Sequence, residues 1–564
     1  MESSGSALPS AASSSFTTFV LPIAALTVAI YSFYRLLVYP LYLSPLSRIP
    51  NAHWSSAISP LWILYVRYTD NENDALLDAH QKLGPVVRLG PSDLSINSID
   101  HVKTVYGGGF ERTDWYSMFD NYGVPCMFST VPSKEHALRK RMISNVYSKS
   151  FMQSSPAARR QARAILLGRL LPLLTASTAA DQDPQGLEVA SLFMATSMDF
   201  ISAYIYGLRC GTDFLRNAAY REHWLQLYLN RHGASFYLQE VPSITRLMRA
   251  VLRTSPYPQW VDWATQELSE WNTALYNKAM AFLGNVKMDG NSTGTFNRGH
   301  FAESPEDEPV VLQSLLTNLE RETATHGTDS LLYATAIKQP ELAVQSELFD
   351  HILAGQETTG LGLTSLAWKL SLHQNAQDAL REELLQLKKQ TQQGGDDTEF
   401  FPTAKELDAL PVLQAVIMET LRLDAPIETP QPRQIPPSGC RIGPYEVPGG
   451  VRIASQAHTL HRDESVFPQA DEWHYARWLP LSSPTDDDND DNDDAPRRAQ
   501  ARQFWAFSSG GRMCIGSNFA IQEMKEVAAM IYSRFQTHVV DDSGMEPDEG
   551  PVSEQLYLRF APLT

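Results

Sequence analysis

The residue with the clearest chemical signature is Cys514. It stands in Phe507-Ser-Ser-Gly510-Gly511-Arg512-Met513-Cys514-Ile515-Gly516, just before a helix expected over Asn518–Phe535. A thiolate is a strong metal ligand, but a free thiol with a pKa of about 8.5 is mostly protonated at neutral pH. A helix start supplies unpaired N–H groups and a positive dipole end, and both favour the ionised sulfur. Glycines here let the backbone pass close to a flat cofactor, and Arg512 offers a fixed cation to a carboxylate. Alone, a cysteine before a helix is usually a small buried residue. The whole pattern F-x-x-G-x-R-x-C-x-G is what makes it specific.

Three further groups could do chemistry. Glu419-Thr-Leu-Arg422 puts a carboxylate and a guanidinium three residues apart on one helix face, among Val416, Ile417, Met418, Leu421 and Leu423. On a surface such a pair is worth under ~1 kcal/mol, but these neighbours predict partial burial. Ala354-Gly355-Gln356-Glu357-Thr358-Thr359 lies in mid-helix, where one glycine and two threonines lower helix propensity by roughly 1 kcal/mol. A threonine hydroxyl bonded back to a carbonyl can bend the helix there, and the glycine would let it lie flat against a planar group. Cations form the third group: His136 and Lys140 one helical turn apart, and Arg433 in Pro432-Arg433-Gln-Ile-Pro436. Taken singly, such charges are ordinary solvated residues.

The elements that must position these residues are mostly helical. Helices are expected over Glu135–Phe151, Ala157–Leu174, Leu187–Tyr206, Trp260–Leu283, Glu341–Leu372, Asn375–Gln390 and Pro411–Leu423, with a β-hairpin from Val86–Leu89 to Leu94–Ile96. Gly284–Pro309 reads as an exposed loop that includes the sequon Asn291-Ser292-Thr293. Residues 484–498 read as an acidic surface insertion, with seven aspartates between Asp486 and Asp494. In front lies a tail over 1–15, then Phe16–Tyr34, nineteen residues without a charge. At ~1.5 Å per residue that run matches a bilayer's hydrocarbon thickness. Arg35 and Arg48 follow it and no Lys or Arg precedes it, so the positive-inside rule leaves the rest of the chain cytoplasmic. A cleaved signal peptide is the competing reading, but it wants a basic start and a small-residue cleavage site. Residues 35–52, with Pro40, Pro45 and Pro50, read as a stiff hinge, and 53–564 as one domain.

Composition narrows the class. Of 564 residues, 43% are hydrophobic, enough for a large core and against wholesale disorder. The net charge of −18 argues against a nucleic-acid partner. Four scattered cysteines with no C-x-x-C pair exclude a zinc ribbon or a disulfide-dense scaffold.

With the cysteine loop, E-x-x-R and A-G-x-[DE]-T-T in this order, the chain resembles the cytochrome P-450 haem-thiolate family over nearly its whole length, in its microsomal fungal form. The resemblance implies a mainly α fold with small β-sheets (α+β), preceded by one transmembrane helix. It implies haem b (iron protoporphyrin IX) with Cys514 as axial iron ligand, and Phe507 and Gly516 in the loop against the cofactor. Arg512, Arg433, His136 and Lys140 would face the haem propionates, although the indole common in the family at the place of His136 is missing. Glu357 and Thr358 would deliver protons at the oxygen site. Glu419 and Arg422 would lock structurally to Arg477, despite Tyr475 and Ala476 where the family prefers proline and glutamate. Phe119, Phe349, Asp350, Ile427 and Gln431 would line the substrate pocket.

The activity implied is insertion of one oxygen atom from O2 into a small apolar molecule, as in fungal secondary metabolism. NADPH electrons would arrive through a flavoprotein reductase, with cytochrome b5 as a further candidate donor. Arg139, Lys140, Arg141 and Lys525 are expected on the reductase docking face. The location implied is the endoplasmic reticulum membrane, single-pass, with the catalytic domain cytosolic. Two alternatives stay open: a haem-thiolate isomerase or dehydratase needing no reductase, and a catalytically silent haem-binding scaffold.

Overall fold

The computed structural model describes residues 12–179, 185–289, 301, 303–391, 400–480, 495–545 and 555–563. The sequon at Asn291 and the aspartate run lie outside the described residues. Contacts gather the chain into two compact units: the part up to His101 with Gln434–Ser455, and Val102–Arg433 with Gln456 onward. Residues 53–101 therefore cluster with the amino-terminal segment instead of with the large helical unit.

In the smaller unit a helix runs over Ala12–Phe33 and continues over Tyr34–Leu43. Leu21–Leu43 is 23 residues long and apolar over an 18-residue window with no buried residue, so it is a candidate membrane span. The helical run thus extends beyond Tyr34 into the expected hinge and takes in Arg35 and Pro40. Val86–Gly90 pairs antiparallel with Asp93–Ile96, as the turn residues Pro91 and Ser92 suggest, and Asp93–Ser95 then pairs in parallel with Arg452–Ala454. Buried Arg88 ties this unit together by donating to the carbonyls of Pro40, Ala57, Gly90 and Pro91.

The larger unit is built around the central helix Pro340–Leu372, whose residues are buried on most sides. Across it lies Ala190–Tyr206, also almost wholly buried. The close approach explains a glycine. A Cβ on Gly355 would stand 2.7 Å from Ile201 Cγ1, so this glycine serves helix packing and not, as expected from the sequence, a flat cofactor face. Pro411–Leu423 forms as expected, and Ser517–Tyr532 follows the cysteine loop. The latter stops short of Phe535, which instead opens the strand Phe535–Asp541, paired antiparallel with Tyr557–Pro562.

The helix expected over Glu135–Phe151 breaks into Ser133–Ile143 and Lys149–Ser154, the second capped by the Ser148 hydroxyl. The helix from Trp260 runs on to Asp289, so it occupies the first six positions of the expected loop. Ala218–His232 and Val310–His326 were not anticipated.

Candidate active site

The cysteine loop is a tight, glycine-dependent turn. Gly510 adopts φ +72°, and a Cβ there would stand 2.1 Å from the Tyr106 carbonyl oxygen. The Met513 amide donates to the Gly510 carbonyl at 3.1 Å and the Cys514 amide to Phe507 at 3.0 Å. Cys514 then sits just ahead of Ser517–Tyr532, whose N-cap is Gly516. Its thiol is hemmed in by protein yet open to a water-sized sphere. Burial pushes the thiol pKa up from its ordinary value. The Gly516 amide, the Lys140 ammonium and the Ser517 amide pull it back.

Cations converge beside this loop, and the set is larger than the sequence suggested. Arg433 is buried, donates to the Tyr116 hydroxyl at 2.9 Å and lies 4.7 Å over the Tyr106 ring. Arg112, which carried no sequence signal, pairs with Arg433 in an isolated β-bridge, donates to the Phe128 carbonyl and lies 4.2 Å over Tyr116. Arg512 donates to the Thr130 and Val131 carbonyls and stands 3.3 Å from Glu111. His136 is buried next to them.

These groups repel one another. Burial, with Arg433 and Arg512 adding to it against the opposing pull of Tyr116, lowers Arg112 to about 9. Burial and then Arg512, Arg112, Lys140 and Arg433 lower His136 to about 3. Arg112 Nε and Arg433 Nη2 are buried with no hydrogen-bond partner. Like charges gathered with orphaned donors beside an accessible thiol fit a group that carries carboxylates and takes an axial sulfur ligand. Lys140 is turned differently from the expectation: its Nζ donates to the Gly511 and Met513 carbonyls at 3.0 and 2.9 Å, bracing the loop.

The ion-pair network matches the reading closely. Arg422 Nε and Nη2 donate to the two Glu419 oxygens at 2.9 Å each, and both side chains are 0% exposed. Arg477 Nε reaches Glu419 at 3.0 Å, and Trp478 Nε1 and the His474 amide complete that carboxylate's shell. A missed residue links this network to the cysteine loop. His461 Nδ1 lies 2.7 Å from the Arg422 carbonyl, and its Nε2 accepts from the Trp505 amide at 2.7 Å. Burial lowers its pKa to about 3, so the ring is neutral with the proton on Nδ1. Nothing in its local sequence distinguishes it from an ordinary core histidine.

On the central helix, Thr358 Oγ1 donates to the Ala354 carbonyl at 2.7 Å, the back-bond expected from the sequence. Glu357 Oε2 accepts from the Tyr228 hydroxyl at 2.6 Å. Asp350, one turn before Ala354, is partly accessible, and burial raises its carboxyl to about 7. Of the expected pocket residues, Phe119 packs edge-on to Phe128, Ile427 is exposed and Gln431 takes a hydrogen bond on its carbonyl from Tyr106. Phe349 is fully buried against Tyr122, a packing residue and not a pocket wall.

The expected docking face is also corrected. Arg139 is buried near Glu347, Lys525 is 2% exposed and paired with Asp408 at 2.6 Å, and Lys140 is engaged with the loop, which leaves Arg141 alone exposed.

Residues 312–558 match the family model described as Cytochrome P450. Over that stretch the chain is similar to the cytochrome P450 family. It is similar to Cytochrome P450 monooxygenase orf2 of Aspergillus niger, 25% identical over 543 residues that cover 93% of each chain. It is likewise similar to Cytochrome P450 monooxygenase avaI of Aspergillus versicolor, 25% identical over 79% of this chain and 94% of that one. A third relative is Cytochrome P450 monooxygenase gsfF of Penicillium aethiopicum, 22% identical over 90% of this chain and 91% of that one. These relatives support a monooxygenase role, and the family they belong to implies a haem-thiolate cofactor.

Proposed function

We propose that this protein is a membrane-anchored P450 monooxygenase of fungal secondary metabolism that inserts one oxygen atom of O2 into a small, largely apolar organic substrate. NADPH supplies the electrons through a flavoprotein reductase at the endoplasmic reticulum. The observation that carries the reading is the accessible Cys514 thiol, faced by backbone amides and flanked by buried cations with unpaired donors. Bound haem would supply the oxygen-activating redox chemistry, with thiolate donation favouring O–O cleavage.

The chain's own residues have separable tasks. Cys514 Sγ would hold the iron and Arg112 and Arg433 the propionates, while Arg512 and Lys140 brace the surrounding backbone. Glu419, Arg422, Arg477 and His461 keep the loop in register. Glu357 and Thr358 would hold protons on the central helix and pass them inward while packing excludes bulk water.

An intact Glu357–Thr358 pair favours oxygenation over isomerisation, because rearranging a peroxide needs no protons delivered to O2. The test is NADPH and O2 consumption by the haem-loaded chain with added reductase, comparing wild type with Thr358→Ala. Product formation that depends on NADPH in wild type and falls in the variant supports the reading. Product without NADPH would overturn it in favour of an isomerase, and no turnover on a broad panel in favour of a scaffold.

A further inference from the structure

Glu357 has two carboxylate oxygens, and the structure gives them different partners on the helix Ala218–His232. Oε2 accepts from the Tyr228 hydroxyl at 2.6 Å, and Oε1 stands 3.8 Å from His232 Nε2. Tyr228 is buried and stacked on Trp224, with ring centroids 5.4 Å apart and planes at 10°. His232 meets Tyr228 edge-on and has 48% of its side chain in solvent, against 30% for Glu357. One partner is therefore fixed in the core, and the other is wet.

Resting on the reading of Glu357 as a proton carrier, we infer that His232 is the solvent-side proton donor of this site and Tyr228 its positioning residue. A proton moves from His232 Nε2 to Glu357 Oε1, the neutral imidazole regains one from bulk water, and the carboxyl turns from Tyr228 to hand its proton on beside Thr358 Oγ1. Charge is conserved at each transfer.

Tyr228 itself is not a relay. Burial, and then the Glu357 carboxylate, push its hydroxyl well above its ordinary pKa, so it stays protonated and acts as an anchor. The other charged groups around the route are Arg231 on the same helix and Asp350 on the central helix, both within electrostatic reach of Tyr228.

The test uses the full haem-loaded chain. Without substrate, the C–O stretching band of the reduced carbon-monoxide complex is followed between about pH 5 and 8, the range in which histidine changes charge. The band should move with pH in wild type and in Tyr228→Phe, and move distinctly less in His232→Gln and Glu357→Gln, where the Asp350 carboxyl still titrates. With reductase and a turned-over substrate, the share of NADPH lost to hydrogen peroxide should rise several-fold in His232→Gln, less than the ~100-fold that a direct proton donor supplies. His232→Lys should recover part of that loss, which a purely structural role would not allow.

A His232→Gln protein with wild-type band movement and peroxide share overturns the inference. If Glu357→Gln and Thr358→Ala also leave the peroxide share unchanged, the proton-carrier reading of the site fails with it. If only His232→Gln is silent, that reading stands and protons enter elsewhere.

Discussion

Arg112 shows how a single side chain can matter without a motif around it. It is buried with Arg433 and Arg512 nearby, and its Nε has no partner. An anion placed there relieves the repulsion and satisfies the donor. A charge-assisted hydrogen bond contributes about 1.5–3 kcal/mol, so Arg112→Leu should weaken haem retention by roughly 10- to 100-fold. Transfer of haem to apomyoglobin measures this, and an unchanged transfer rate would remove Arg112 from the cofactor's shell. At Cys514 the expectation is categorical: Cys514→Ser should abolish the red-shifted Soret band of the reduced carbon-monoxide complex.

Two elements carry their own predictions. Glu419 accepts from Arg422, Arg477, Trp478 and the His474 amide in a space without solvent. Removing it in Glu419→Ala strands buried cations, which typically costs about 3–5 kcal/mol, and urea denaturation should show a loss of that size. The contact between Gly355 and Ile201 predicts a smaller, correctable effect. Gly355→Ala drives a Cβ into Ile201 and should cost about 1–3 kcal/mol. Adding Ile201→Ala opens space for that Cβ, so the double variant should lose less than the sum of the two single losses. Strict additivity would mean that the two helices are not in tight contact at this point.

For the molecule as a whole, buried titratable groups shape stability against pH. Glu523 is buried, and burial raises its carboxyl from 4.5 to about 8 against the opposing pull of the Ser197 hydroxyl. The folded state therefore keeps a proton that the unfolded chain has lost, and stability falls as pH rises from 4.5 to 8. His461 acts in the opposite sense. Its folded pKa near 3 lies below the ordinary 6.5, so stability is present above 6.5 and lost as pH drops toward 3. Thermal unfolding across pH should give a maximum on the acid side of neutrality. Glu523→Gln should flatten the fall toward pH 8, an effect on the order of a few kcal/mol. A slope identical to wild type would show that Glu523 is ionised in the folded protein.

The residues that a single stretch of chain can specify were legible without coordinates: the cysteine loop, the Glu419–Arg422 pair, the Thr358 back-bond and the presence of an apolar run near the amino terminus, though not its end at Leu43. Each depends on neighbours within a few positions, through glycine conformation, helical spacing or hydrophobic length. The chain alone did not reveal Arg112, His461 or the partners of Glu357, and it misplaced Phe349, Gly355, Arg139 and Lys525. Those assignments depend on which side of a helix faces which distant element. A helix buried on nearly all sides, such as Pro340–Leu372, has no amphipathic stripe from which that orientation could be read. Local sequence determined the ligand and its loop, and packing between remote segments decided which charges surround it and by what route a proton could reach it.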